Sequence, residues 1–283
     1  MYVDLHCHSI FSDGNKTIPE LIDIAKKNSV SFFSITDHDC LESTKLIKSD
    51  NDIQMVNGIE LSTVYIHRGK EMYVHLLGYD FDADNKKLLN ELKRMRELLT
   101  YENIRYLNKL LDKRIYIPTE AIMDIRLSNY RWIYRQVEDS LKAHGYDEKY
   151  IQELSNKMKK YMPEYDDYEI HIFDAIDLIN RAGGISVLAH PCEIELDDYE
   201  KYNFIKKLKD KGLMGIESAY ADFTFNDFIK YPRIAQELGL LESVGSDFHL
   251  ENEENRVIIG HGINDNLLRK DCSVKRYILE RKK

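Results

Sequence analysis

The sequence predicts an α/β protein: a parallel, barrel-like sheet interrupted by one inserted all-helical module. Three observations lead there. Short apolar stretches alternate with helix-period segments across residues 1–83 and 171–283, the pattern of strands joined by crossover helices. Histidines and acids gather at the C-terminal ends of those stretches, the end where barrels build their sites. Residues 84–170 abandon the alternation and keep only helical spacing.

The elements follow in order. Tyr2, Val3 and Leu5 alternate with more polar neighbours and predict a short first strand. TIPELIDIAKKN predicts a helix with Thr17 as N-cap, Glu20 closing a capping box and Pro19 in the first turn. SFFSIT is a buried strand ending at Asp37, His38 and Asp39, and a short helix is expected from Leu41 to Ser49. IQMVNGIELSTVY and KEMYVHLLGYDF are two more strands across the turn-like His67-Arg68-Gly69. From Asp84, Leu88, Leu92, Met95, Leu99, Leu107, Leu110 and Leu111 fall at helical spacing. Further helices fit Thr119 to Leu127, Arg131 to His144 and Asp147 to Tyr161, with Gly145 as a C-cap. A helix from Ile172 to Arg181 then ends at Gly183-Gly184. ISVLAH, LMGIESA and LESVGSD complete seven expected strands, separated by helices at 198–211 and 225–238.

The polar residues at the strand ends carry the chemistry. His6 and His8 sit two apart, so their imidazoles project from one side of the first strand, and Asp13 follows in a small polar loop. Asp247 and His249 repeat the device near the far end. His38, Glu60, His75 and His190 fall at the ends of other strands. Core packing does not generate nine such residues at strand ends. Mixed nitrogen and carboxylate donors suit transition metals rather than calcium or magnesium, which prefer oxygen alone. Nine donors are too many for one ion and suit two or three. Manganese and iron are expected ahead of zinc, because the set is rich in carboxylates.

Composition bounds the alternatives. The chain of 283 residues is 43% hydrophobic and 31% charged, as in an ordinary soluble protein. Its net charge of −9 argues against a general polyanion binder. Residues 84–170 carry a net +1, so the acidic excess lies with the metal motifs. No apolar run is long enough for a membrane span, and the N-terminus lacks the regions of a signal peptide. Cys7, Cys40, Cys192 and Cys272 show no paired spacing, which fits a reduced cytoplasmic protein.

These motifs also carry a resemblance. HCH, Asp13, TDHD, GIE, HLLGY, AHP and GSDFH match, in order, those of the PHP (polymerase and histidinol phosphatase) superfamily of metal-dependent phosphoesterases. The resemblance implies a distorted (β/α)7 barrel over residues 1–83 and 171–283, with 84–170 as a helical, substrate-binding cap. It implies His6, His8, Glu60 and Asp247 around one ion, Asp13, His38 and His249 at a second, and His75 and His190 joining Glu60 at a third. Glu60 would bridge. Such ions lower the pKa of a water and neutralise phosphoryl oxygens, so phosphomonoester hydrolysis by metal-bound hydroxide needs no covalent nucleophile. His190 or Asp37 could assist the leaving group, while Asp37 and Asp39 are also expected as supporting or capping residues.

Within the superfamily the layout is most similar to the branch that dephosphorylates nucleoside 3′,5′-bisphosphates and degrades short RNA from its 5′ end. The insertion offers SNYRWIYRQ, where Arg131 and Arg135 share a helix face and Tyr130, Trp132 and Tyr134 could stack on a base or pack the module. The branch's Arg-Pro-His-like element is missing, and Leu250 stands where its Gly is usual. The expected partners are therefore a phosphorylated small molecule or nucleotide, or short RNA, with no membrane and no dedicated protein. A histidinol-phosphate phosphatase is the alternative enzyme, and a non-catalytic metal-binding module the alternative of another class.

Overall fold

The computed structural model describes residues 1–125, 130–162, 169–250 and 256–283, and side chains of 130–132 lie outside the description. The chain divides into two compact units, Met1–Asn90 with Ile170–Lys283, and Glu91–Glu169.

The first unit opens with β1 (Tyr2–Asp4), α1 (Ile18–Lys27) and β2 (Val30–Ile35), followed by β3 (Gln54–His67) and β4 (Lys70–Tyr79). In α1 the Glu20 carboxylate accepts the Thr17 N–H (2.7 Å), closing the expected start. Where a helix is expected between Leu41 and Ser49, there is only a 3-10 turn at Ser43–Lys45. Thr44 Oγ1 donates to Leu41 O (2.7 Å), a carbonyl the expected helix would use, and Ser49 Oγ accepts the N–H of Met55 in β3 (2.8 Å).

After the second unit come β5 (Ile170–His171), α6 (Ile172–Arg181), β6 (Ile185–Leu188), α7 (Asp198–Asp210), β7 (Gly215–Tyr220), α8 (Asp227–Leu238), β8 (Leu241–Gly245) and α9 (Ser273–Arg281). Among the described residues the sheet has eight strands rather than the seven expected, in the order β1-β2-β3-β4-β6-β7-β8, with the two-residue β5 paired to β3. It is mixed rather than parallel: β4 runs antiparallel to both β3 and β6. The reason is the connection. Arg68 (φ 51°) and Gly69 (φ 78°) form a two-residue turn with both φ positive, which joins a hairpin and is far too short for a parallel crossover. The end strands are also linked: Leu5 N–H donates to Val244 O (2.9 Å), and Asp247 N–H to His6 O (2.7 Å).

Alternation along the strands sorts two apolar layers. Val3, Leu5, Phe32, Val56, Leu77, Val187 and Val244 share one layer, which α9, absent from the expected elements, reaches with Val274 and Ile278. Phe33 and Ile35 face the other, where α1 contributes Ile18, Leu21 and Ala25.

The second unit takes in most of α2 (Lys86–Asp112), then α3 (Thr119–Asp124), α4 (Tyr130–Ala143) and α5 (Glu148–Lys159). The residues expected to end α3 at Leu127 lie outside the described residues. Tyr106, Leu110, Ile133, Val137, Leu141, Ile151 and Met158 form its own core.

Candidate metal centre

Four donor atoms meet behind the C-terminal end of β1. His6 Nε2 lies 3.1 Å from Glu60 Oε2 and 3.2 Å from Asp247 Oδ1. His8 Nε2 lies 3.0 Å and 3.1 Å from the same two oxygens, and the two imidazole nitrogens are 3.3 Å apart. Donors about 2.1 Å from a shared ion sit about 3.0 Å apart at a right angle and about 3.4 Å apart at the tetrahedral angle. The cradle therefore fits a transition ion. Two further groups have the same compactness: His8, Asp13, His38 and His249, and His38, Glu60 and His75.

Glu60 is shared by the first and third groups, as His8 is by the first two and His38 by the last two. Glu60 Oε2 is 3.5 Å from His38 Nδ1, and its Oε1 is 3.1 Å from His75 Nδ1 and 3.0 Å from His190 Nε2. With His6 and His8, five imidazoles surround one buried carboxylate. His190 meets Glu60 but stands outside the three groups. Asp13 Oδ1, His38 Nδ1 and Asp247 Oδ1 are buried with no hydrogen-bond partner. Buried polar atoms without partners are costly, and cations among them would supply the missing interaction.

The backbone aims these side chains. Asp247 (φ 53°) and His190 (φ 21°) both take left-handed conformations, an unfavourable geometry held by surrounding bonds. The His190 N–H donates to Glu217 Oε2 (2.6 Å). The other oxygen of Glu217 lies 3.0 Å from His6 Nδ1, which leaves Nε2 to face the cradle. His249 Nδ1 lies 2.8 Å from Asp247 O, so its Nε2 faces Asp13 Oδ2 at 3.3 Å. Gly245 is required here. A Cβ would lie 2.2 Å from His6 Cβ and 2.7 Å from Glu217 Oε1.

Charge within the cluster is strongly coupled. Burial works to raise the Glu60 carboxyl, but His6, His38, His75 and the His190 hydrogen bond hold it well below its usual range. Burial opposes a proton on His8, yet Asp13, Asp247 and Glu60 push it up to about 10. His6 and His190 are likewise raised, burial being outweighed by Glu60 together with Asp247 and Glu217 for the first and Glu193 for the second. His38 goes the other way, down to about 3, because burial and the His8 and His75 charges outweigh Glu60 and Asp13.

Asp37 is occupied rather than poised. It accepts Ser9 N–H (2.7 Å), Ser9 Oγ (2.7 Å) and Ser12 Oγ (2.8 Å), bracing the loop between His8 and Asp13. Asp39 accepts the Ser62 N–H (2.8 Å) and fastens its turn to β3. Sequence reasoning gave no role to Glu217, Glu193 or Tyr220. The signal for Glu217 was available: a carboxylate in GIESAY, an otherwise uncharged strand buried throughout. Of the insertion residues, Arg131 and Trp132 have side chains outside the described residues. Arg135 is exposed and donates to Tyr134 Oη (3.2 Å). Tyr134 packs on the unit's core with Lys159 Nζ 4.3 Å from its ring centroid.

Residues 4–155 match the family model of the PHP domain. The chain belongs to the PHP domain family. It is a metal-dependent phosphoesterase, as the PHP family and the names of its relatives indicate. One relative is a 5′-3′ exoribonuclease of Haemophilus influenzae, 29% identical over 87% of this chain and 89% of that protein. Another, a 3′,5′-nucleoside bisphosphate phosphatase of Chromobacterium violaceum, is 29% identical over 92% of this chain and 90% of its own length. A solved structure of a Chromobacterium violaceum amidohydrolase with bound sulfate and no metal superposes with a TM-score of 0.75. It is 26% identical and covers 99% of this chain and 97% of that one. No helix among the described residues is long and apolar enough to cross a membrane.

Proposed function

We propose that this chain hydrolyses phosphate esters at phosphorylated nucleotide ends, in 3′,5′-bisphosphates or at the 5′ end of short RNA. One observation carries the chemical part: a single buried Glu60 shared among five imidazoles, with Asp13 and Asp247 at its flanks. His6, His8, Glu60 and Asp247 would hold one ion, His8, Asp13, His38 and His249 a second, and His38, His75 and Glu60, with His190 against Glu60, a third. Such ions, manganese or iron ahead of zinc, supply an activated water and neutralise phosphoryl charge. The protein's own part is orientation. Glu217 fixes His6, the Asp247 carbonyl fixes His249, and Asp37 holds the loop that aims His8 and Asp13. His190, facing Glu60 Oε1 at 3.0 Å, is the residue we assign to hold a proton near the leaving oxygen.

The linked end strands β1 and β8 support reading the sheet as a distorted barrel of the PHP type. Four free cysteines fit a reducing, cytoplasmic setting. The nucleotide part rests on the two named relatives, and on Arg131 and Arg135 as phosphate contacts from the insertion. Losing one charge-assisted contact costs about 1.5 to 3 kcal/mol. Arg131→Ala or Arg135→Ala should thus lower kcat/KM for a 3′,5′-bisphosphate by about 10- to 150-fold and spare a simple aryl phosphate. Equal losses on both substrates, or none, would remove these arginines from the reading.

A further inference from the structure

His190 is held from two sides. Its Nε2 faces Glu60 Oε1 at 3.0 Å, and its Nδ1 lies 3.1 Å from Glu193 Oε2. The other oxygen of Glu193 accepts from Tyr220 Oη (2.8 Å), and that hydroxyl also lies 3.1 Å from Asp247 Oδ2. Asp247 Oδ1 and Glu60 Oε2 then meet at His6 Nε2, 3.2 Å and 3.1 Å away. The contacts close a ring: Glu60, His190, Glu193, Tyr220, Asp247, His6. Glu193 and Tyr220 belong to none of the three donor groups. They nevertheless connect the two carboxylates that define the first of them.

We propose that Glu193 and Tyr220 are positioning residues for the metal centre. Glu193 accepts the Nδ1–H of His190 and so keeps its ring oriented with Nε2 directed at Glu60. Tyr220 ties Glu193 to Asp247, so donors from β6 and β8 hold one arrangement instead of two independent ones. A hydroxyl has one proton to give, and the two carboxylates share it. An anion at this spot repels an incoming phosphate. Its gain must therefore appear in turnover and ion retention, not in substrate binding.

The inference rests on the metal-dependent chemistry and not on the nucleotide reading, so the test uses an aryl phosphate and manganese titrated against a chelator. Glu193→Ala and Tyr220→Phe should each weaken retention of at least one manganese ion by about 10- to 100-fold. Each should lower kcat while leaving KM no higher than in the unaltered enzyme. Glu193→Gln, which keeps an acceptor for Nδ1–H, should recover part of the loss. Because the two residues act through one ring, the double variant should be no worse than the worse single variant. Glu195→Ala, an exposed acid outside these contacts, serves as the control and should change nothing. Melting temperatures identify a variant that has merely lost its fold, and Tyr220→Phe, with its ring intact, guards against that outcome. Unchanged manganese retention in Glu193→Ala, or losses that multiply in the double variant, would overturn the proposal.

Discussion

Both oxygens of Glu60 face imidazoles, Oε2 toward His6, His8 and His38 and Oε1 toward His75 and His190. Asp13 and Asp247 each serve fewer neighbours. Replacing Glu60 by Gln removes the charge that those imidazoles share and converts one oxygen to a donor. Glu60→Gln should lose more than one equivalent of metal by elemental analysis, and more activity than the roughly 100-fold typical of supporting residues. Stoichiometry equal to that of the unaltered protein would refute bridging. Gly245 makes a second residue-scale case, since a methyl group there collides with His6 and Glu217. Gly245→Ala should cost about 1 to 3 kcal/mol in urea unfolding and reduce metal loading, because the atoms displaced are those that orient His6. A variant that unfolds normally and loads fully would show that His6 has room to move.

At the scale of elements, the loop between β1 and α1 is the fragile part of the site. It carries His8 and Asp13; its first residues are tied to the strand ends, His8 N–H donating to Phe248 O (2.8 Å), while Asp37, just after β2, accepts three donors from Ser9 and Ser12. Asp37→Ala leaves those buried donors unsatisfied, at about 1 to 3 kcal/mol. The loop should exchange its amide hydrogens faster, and the ion held by His8, Asp13, His38 and His249 should dissociate first. Unchanged exchange across residues 9–14 would count against the brace. The β3–β4 hairpin behaves differently. Its antiparallel ladder runs from Gly58 with Tyr79 to His67 with Lys70, so Glu60 and His75 sit on a rigid ribbon.

Over the whole molecule, the ion-free protein stores protons in its site. His8 is raised from 6.5 to about 10, so the folded chain keeps a proton that the unfolded chain releases across that interval. This contribution to stability is complete below pH 6.5 and is lost as pH rises through about 10. Ligation requires neutral imidazoles, and His6, His8 and His190 are all raised. Metal loading near pH 7 should therefore release protons, and apparent affinity should climb with pH. Calorimetry in buffers of different ionisation enthalpy measures the release directly. A heat of loading independent of buffer would contradict this charge state.

The sequence by itself singled out the donors that the structure brings together, although Glu60 and His75, expected at strand ends, stand within β3 and β4, because the long hairpin continues past the cluster. His6 and His8 project together for the simple reason that the strand period is two, and the helical block declared itself by spacing alone. It also contained, unread, the rule that makes the sheet mixed: a two-residue turn at Arg68-Gly69 cannot lead to a parallel neighbour. Other features had no local signal. The two-residue β5 is too short for a period, and α9 is a weakly patterned segment whose Val274 and Ile278 become apolar anchors only where a layer awaits them. The partition of nine donors into overlapping groups, the tie between Glu217 and His6, and the ring through Glu193 and Tyr220 were decided by tertiary structure. Each joins residues dozens to hundreds of positions apart, and only the sheet's register brings such atoms within 3 Å or so of one another.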